Sequence, residues 1–145
     1  MKLSTKYFGE IDYNNEEVIF FPEGIFGFED EKKYLLIRFD DNDDTLLSLQ
    51  SVDTPALAFV AVNPFRMMPD YEPYVPSADM DFLSVKNQEN VAIYSIAIVG
   101  DDIAKTTVDL KAPLVINPAT HTGRQVILDD PRYSFRHSFV PKEHN

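Results

Sequence analysis

VAIYSIAIV, residues 91–99, carries apolar side chains on both of its alternating faces. A half-exposed strand would turn a polar face to water, so this stretch reads as a central strand covered on both sides. Outward from it, similar short runs recur between turn signals. They are Val18-Ile19-Phe20-Phe21, YLLIRF at 34–39, Leu46-Leu47-Ser48-Leu49, ALAFVAV at 56–62, residues 113–116 and Val126-Ile127-Leu128. Valine, isoleucine and aromatics dominate them, which suits strands. No long segment repeats apolar residues at helical spacing. The best helix candidate is SADMDFLS, residues 77–84, with Ser77 as its cap, Asp79 favourable to the helix dipole, and Phe82 and Leu83 available to dock on the core. The expectation is an all-β protein, a small single-domain curled β-barrel or pseudo-barrel of seven to nine strands with at most one or two short helices. Closure is the usual way for that many strands to avoid open edges.

The length, 145 residues, suits one domain spanning 1–145, with 137–145 expected to be a loose tail. The chain has no cysteine, which excludes disulfides, zinc–thiolate sites and a thiol nucleophile. The N-terminus lacks the apolar core of a secretory signal, and no run reaches membrane-spanning length, so a soluble, cytoplasmic protein without membrane contact is expected. The formal net charge is −11, concentrated in residues 10–81, where 17 acids face Lys32, Lys33, Arg38 and Arg66. Such a body repels nucleic-acid phosphates and steers towards basic partners, although negative charge also serves solubility.

Enzyme chemistry finds little footing. DDNDD, residues 40–44, opens like a calcium loop, but the sixth position is Thr45 where glycine belongs, and the twelfth is Ser51 where glutamate belongs. A solvated turn between two strands is the better reading. His121, His137 and His144 share no ligand spacing, and no nucleophile elbow, phosphate loop or dinucleotide fingerprint occurs. No cofactor is indicated.

Two apolar segments resist assignment as regular structure. FPEGIFGFED, residues 21–30, is broken by Pro22, Gly24 and Gly27. Residues 63–80 hold Pro64, Pro69, Pro73 and Pro76, which should keep them from forming a regular element. They also carry Phe65, Met67, Met68, Tyr71 and Tyr74, interleaved with Asp70 and Glu72. Adaptable methionines and hot-spot tyrosines suit an interface; equally, the segment could lid the barrel.

FPEGIFGFED (21–30), SLQSVDTPALAFVAVNPF (48–65) and TTVDLKAPLVINPATHTGRQVIL (106–128) together resemble the FliW family of flagellar assembly factors. The likeness runs through nearly the whole chain. Asp109 departs from it, since the family is expected to carry asparagine before Leu110. The resemblance implies a binding protein with two partners: cytoplasmic flagellin, and CsrA, a dimeric regulator that blocks flagellin mRNA translation. Flagellin would occupy the factor until exported, after which the freed factor would capture CsrA and lift repression. The rival readings are a general flagellin export chaperone without a regulatory arm and a small β-barrel enzyme. Within 20–28, Phe20, Ile25 and Phe28 are expected to plug the barrel and Phe26 to stand exposed. The partner-binding candidates are Phe26, Phe65, Met67, Met68, Asp70, Tyr71, Glu72 and Tyr74.

Overall fold

The stretch around Tyr94 has strand neighbours along both edges in the computed structural model, which describes residues 1–139. In chain order the strands are β1 (Lys2–Thr5), β2 (Gly9–Asp12), β3 (Ile19–Phe20), β4 (Lys33–Asp40), β5 (Asp43–Ser51) and β6 (Ala58–Val62). Then come the short helices α1 (Pro64–Met67) and α2 (Ser77–Phe82), followed by β7 (Ala92–Ile98), β8 (Thr107–Val108), β9 (Leu114–Asn117), β10 (Thr122–Gln125) and β11 (His137–Ser138).

Neighbouring strands run β7-β6-β5-β4-β3-β10-β9, and β9 pairs again with β7, closing a seven-stranded barrel. All these pairings are antiparallel except the parallel contact of Phe20 with Thr122. The edge of β7 is shared: β9 pairs with Ala92–Tyr94, and β8 with Ala97 and Ile98. β11 extends this side branch.

Register decides which faces meet. Leu36, Leu49 and Phe59 lie across from one another, as do Leu47, Ala61 and Ile96. Leu36, Leu49, Phe59 and Ile96 point inward with Phe21, Ile25, Tyr34, Leu114 and Ile116. On the other face of β7, Ile93 and Ala97 join Val62 and Val115 under a cover built from Tyr71, Val75, Met80, Leu83 and Tyr133. The central strand is therefore covered on both sides, once by the barrel interior and once by this outer layer. The β1–β2 hairpin caps a third cluster, packing Leu3 and Tyr13 on Leu35.

Several expectations need correction. Val126-Ile127-Leu128 lies beyond β10 instead of forming a strand. The Val126 and Leu128 N–H groups donate to the carbonyls of Pro113 and Lys111 (3.0 and 2.8 Å), but Pro113 has no N–H to return the bond. Pro64 does not prevent a helix; it occupies the first position of α1, where no N–H is needed, while the Asn63 side chain accepts the Phe65 N–H at 3.1 Å. Ser77 is the first residue of α2 and not its cap, a position held by Pro76. Met80 and Leu83 dock α2, whereas Phe82 stays 39% exposed. Residues 137–139 are not loose: His137 and Ser138 pair with β8, and the Phe139 N–H donates to Thr106 O at 3.0 Å. Residues 140–145 lie outside the described part. Among the described residues no helix is long and apolar enough to cross a membrane.

Candidate partner-binding surface

The loop at 21–30 both plugs the barrel and presents side chains at its mouth. Strand alternation turns Ile19 and Phe21 inward and Phe20 outward. Phe21 is fully buried, edge-on to Tyr34 at 5.6 Å, and Ile25 joins it. The expected plug of Phe20, Ile25 and Phe28 is thus corrected to Phe21 and Ile25. Phe20 is exposed, and Phe28 is 42% exposed with its ring edge-on to Phe59 at 5.1 Å.

Phe26 stands 50% exposed on a backbone that is held firmly. Its N–H donates to Gln125 Oε1 at 2.8 Å, and Gln125 Nε2 donates to Ala112 O at 3.0 Å. The Phe28 N–H closes a turn on Ile25 O at 2.7 Å, and the Gly27 N–H meets the Glu29 carboxylate at 2.8 Å. Gly24 has φ +68°, and a Cβ there would lie 2.5 Å from Glu29 O, so a side chain is excluded on both counts. Beside Phe26 opens a recess of about 290 Å³, walled by Ile25, Phe59, Ile96, Ile98 and Phe135, with Gln125, Asp109 and Arg136 as its polar members.

Asp109 accepts the N–H groups of Lys111 and Ala112 at 3.1 and 2.8 Å. Burial nevertheless raises its pKa above the ordinary carboxylate value, because desolvation of the charge outweighs those two bonds. Between the unfolded and the raised folded value, the folded chain holds more protons, so this group makes stability fall as pH rises. Asp109→Asn keeps an oxygen acceptor for both N–H groups and removes the charge. It should flatten that part of the profile and raise the melting temperature at neutral pH, measured by thermal unfolding across a pH series. A neutral-pH melting temperature at or below that of the parent would contradict this account.

The 63–80 segment divides. Tyr71 is 3% exposed; its hydroxyl donates to Leu110 O at 2.7 Å and its ring meets Tyr133 edge-on at 4.7 Å. As a partner-contacting candidate it is therefore corrected to a core residue. Sequence separation hid this, since the groups that bury Tyr71 lie far along the chain. Met67 and Met68 are half-buried against the same cluster. Phe65, Asp70, Glu72 and Tyr74 are exposed, Tyr74 at 71%. The backbone beside Tyr74 is anchored: Gln88 accepts the Val75 N–H and donates to Val75 O (2.9 and 2.8 Å). The lid and the exposed surface are thus different side chains of one segment.

Arg124 was not singled out from the sequence, yet it joins the two segments. Its guanidinium pairs with Glu23 of the loop (2.7 Å) and with Asp79 of α2 (3.3 Å), and stacks 4.1 Å over the Phe82 ring. Gln125 was also missed as the anchor of Phe26. Both lie in the Gly-Arg-Gln-Val stretch, the only signal the sequence offered. The DDNDD turn joins β4 to β5, and the Asp40 and Asp43 carboxylates accept the N–H groups of Asn42 and Thr45 at 2.9 Å each.

Comparison with known proteins places this geometry. The family described as FliW protein matches residues 2–139. A flagellar assembly factor FliW of Alkaliphilus metalliredigens is 42% identical over 137 residues, which covers 94% of this chain and 85% of that protein. One from Geobacillus kaustophilus is 38% identical over 143 residues, covering 99% and 98%. A crystal structure of the flagellar assembly factor FliW superposes with a TM-score of 0.89 at 36% identity, over 99% of this chain and all of that one. The chain that folds into this barrel, with its glycine-turned phenylalanine loop held by Gln125, belongs to the FliW family.

Proposed function

We propose that this protein is a cytoplasmic, non-enzymatic flagellar assembly factor with two exclusive protein partners. It holds flagellin before export and, once released, captures the translational regulator CsrA and relieves repression of flagellin mRNA. One observation carries the reading: an exposed apolar mouth centred on Phe26, its backbone held by hydrogen bonds, is built into an acidic chain. A mainly apolar recess of this kind suits the apolar face of an amphipathic helix. The acidic body suits a partner that must be basic to hold RNA, and it repels the RNA itself.

A competition titration tests the exchange. Flagellin added to a preformed complex with CsrA should displace CsrA; persistence of both on one molecule would end the proposal of exclusive partners. Displacement with no effect on regulator activity would leave the export-chaperone reading in its place. At the mouth, Phe26→Ala should weaken one of the two partners about tenfold, as expected for a ~1–2 kcal/mol interface anchor. Its melting temperature should stay near the parent value, because the side chain is half in water. Unchanged affinity for both partners would remove Phe26 from the site.

A further inference from the structure

The β4–β5 tip carries a second aromatic surface, distinct from the Phe26 mouth. Phe39 is 42% exposed and Tyr7, in the β1–β2 turn, is 43% exposed. Their rings lie 5.5 Å apart, and Phe8 closes on Phe39 at 5.2 Å. Phe39 sits where the β4–β5 register shifts between Arg38 and Asp40. The extra residues of that shift lie on β5, where 44–46 oppose Phe39 alone, and strand alternation from Leu35 and Ile37 keeps Phe39 on the face covered by the hairpin. The β1–β2 turn is fixed from below: the Phe8 N–H donates to Thr5 Oγ1 at 2.8 Å and the Lys6 N–H to Gln50 Oε1 at 2.9 Å. Phe39 and Phe59 lie towards opposite ends of the strands, because Asp40 faces Asp43 where β5 begins and Phe59 faces Leu49 near its end.

We propose that the Tyr7–Phe8–Phe39 face docks arginine side chains of a basic protein segment. Charge selects that occupant. The next five residues along the chain, 40–44, contain four aspartates; Asp44 is paired with Arg66 at 2.9 Å, Asp40, Asp41 and Asp43 form no ion pair among the described residues, and the chain as a whole carries −11. A second copy, a nucleic acid or an anionic membrane would all be repelled there. A cation on a protein is attracted by both the carboxylates and the ring faces. The surface already holds one cation of its own, with Lys6 Nζ lying 5.4 Å from the centre of the Tyr7 ring. Arginine fits better than lysine because its planar guanidinium stacks on rings while also pairing with carboxylates.

The test uses the full chain and a fluorescein-labelled peptide of alternating arginine and serine, read by anisotropy. The peptide should bind, more tightly than its lysine counterpart, while a glutamate counterpart should not. Phe39→Ala should weaken binding roughly fivefold to tenfold, the size of an exposed cation–π contact and its lost packing. Phe39→Leu keeps the apolar packing against Phe8 but removes the ring face, and should weaken binding in the same direction at unchanged melting temperature. Asp41→Asn should reduce the salt dependence, and Phe26→Ala should leave binding as it was. Absence of arginine-peptide binding overturns the proposal. So does parental affinity in both Phe39 variants, or a loss that follows Phe26→Ala instead.

Discussion

Tyr71→Ala should lower the free energy of unfolding by about 3–5 kcal/mol, the range for deleting a large buried aromatic. The ring packs in the outer layer edge-on to Tyr133, and its hydroxyl is a donor to Leu110 O. Tyr71→Phe separates the two contributions. It keeps the packing and should cost about 1–3 kcal/mol, the penalty for a buried carbonyl that loses its donor. Partner affinity per folded molecule should be unaffected in both variants. Denaturant titration beside a binding assay decides it: lost binding with intact stability would return Tyr71 to the interface.

The second large effect lies inside the barrel. Phe21→Ala should cost about 3–5 kcal/mol, because the ring is fully enclosed. Gly123 is its counterpart on β10: a Cβ there would lie 2.5 Å from Phe21 Cε1. Gly123→Ala alone should therefore cost about 1–3 kcal/mol by overpacking. In the Phe21→Ala background the added methyl enters vacated space, so the double variant should be more stable than the two losses added together predict. Additive losses, measured by denaturant unfolding, would mean that the ring and the glycine do not constrain each other.

These residues also mark what the sequence could convey. Strand 92–98 was legible because both of its faces are apolar, and that pattern survives any choice of register. Phe20 and Phe21 were not separable, since an all-apolar run reads alike in either phase. Pairing fixes the phase: Phe20 lies opposite Lys33 and its N–H donates to His121 O at 2.8 Å. The exposure of Phe26 was readable from the flanking glycines, which force the turn that lifts it. The exposure of Tyr74 and the burial of Tyr71, three residues apart in a stretch without period, were not. Tyr71 is buried by Leu110 and Tyr133, and a single sequence without period gives no sign of such distant partners. The β1–β2 hairpin escaped notice because its strands mix charged and apolar residues and bury only part of one face.

The closing contacts of the barrel have a consequence for its assembly. Phe20 meets Thr122, and the Phe26 N–H finds its acceptor 99 residues along the chain. Bringing such remote segments together costs loop entropy before any of the contacts return it, the signature of a high-contact-order, slowly folding topology. The β4–β5–β6 meander can pair as it leaves the ribosome, but the ring stays open until residues 114–125 have been synthesised. Until then the interior faces of Phe21, Leu49 and Phe59 are uncovered, and the loop bearing Phe26 has no Gln125 to hold it. The mouth therefore exists only on a finished chain, and an unfinished one exposes the same phenylalanines without the geometry to use them.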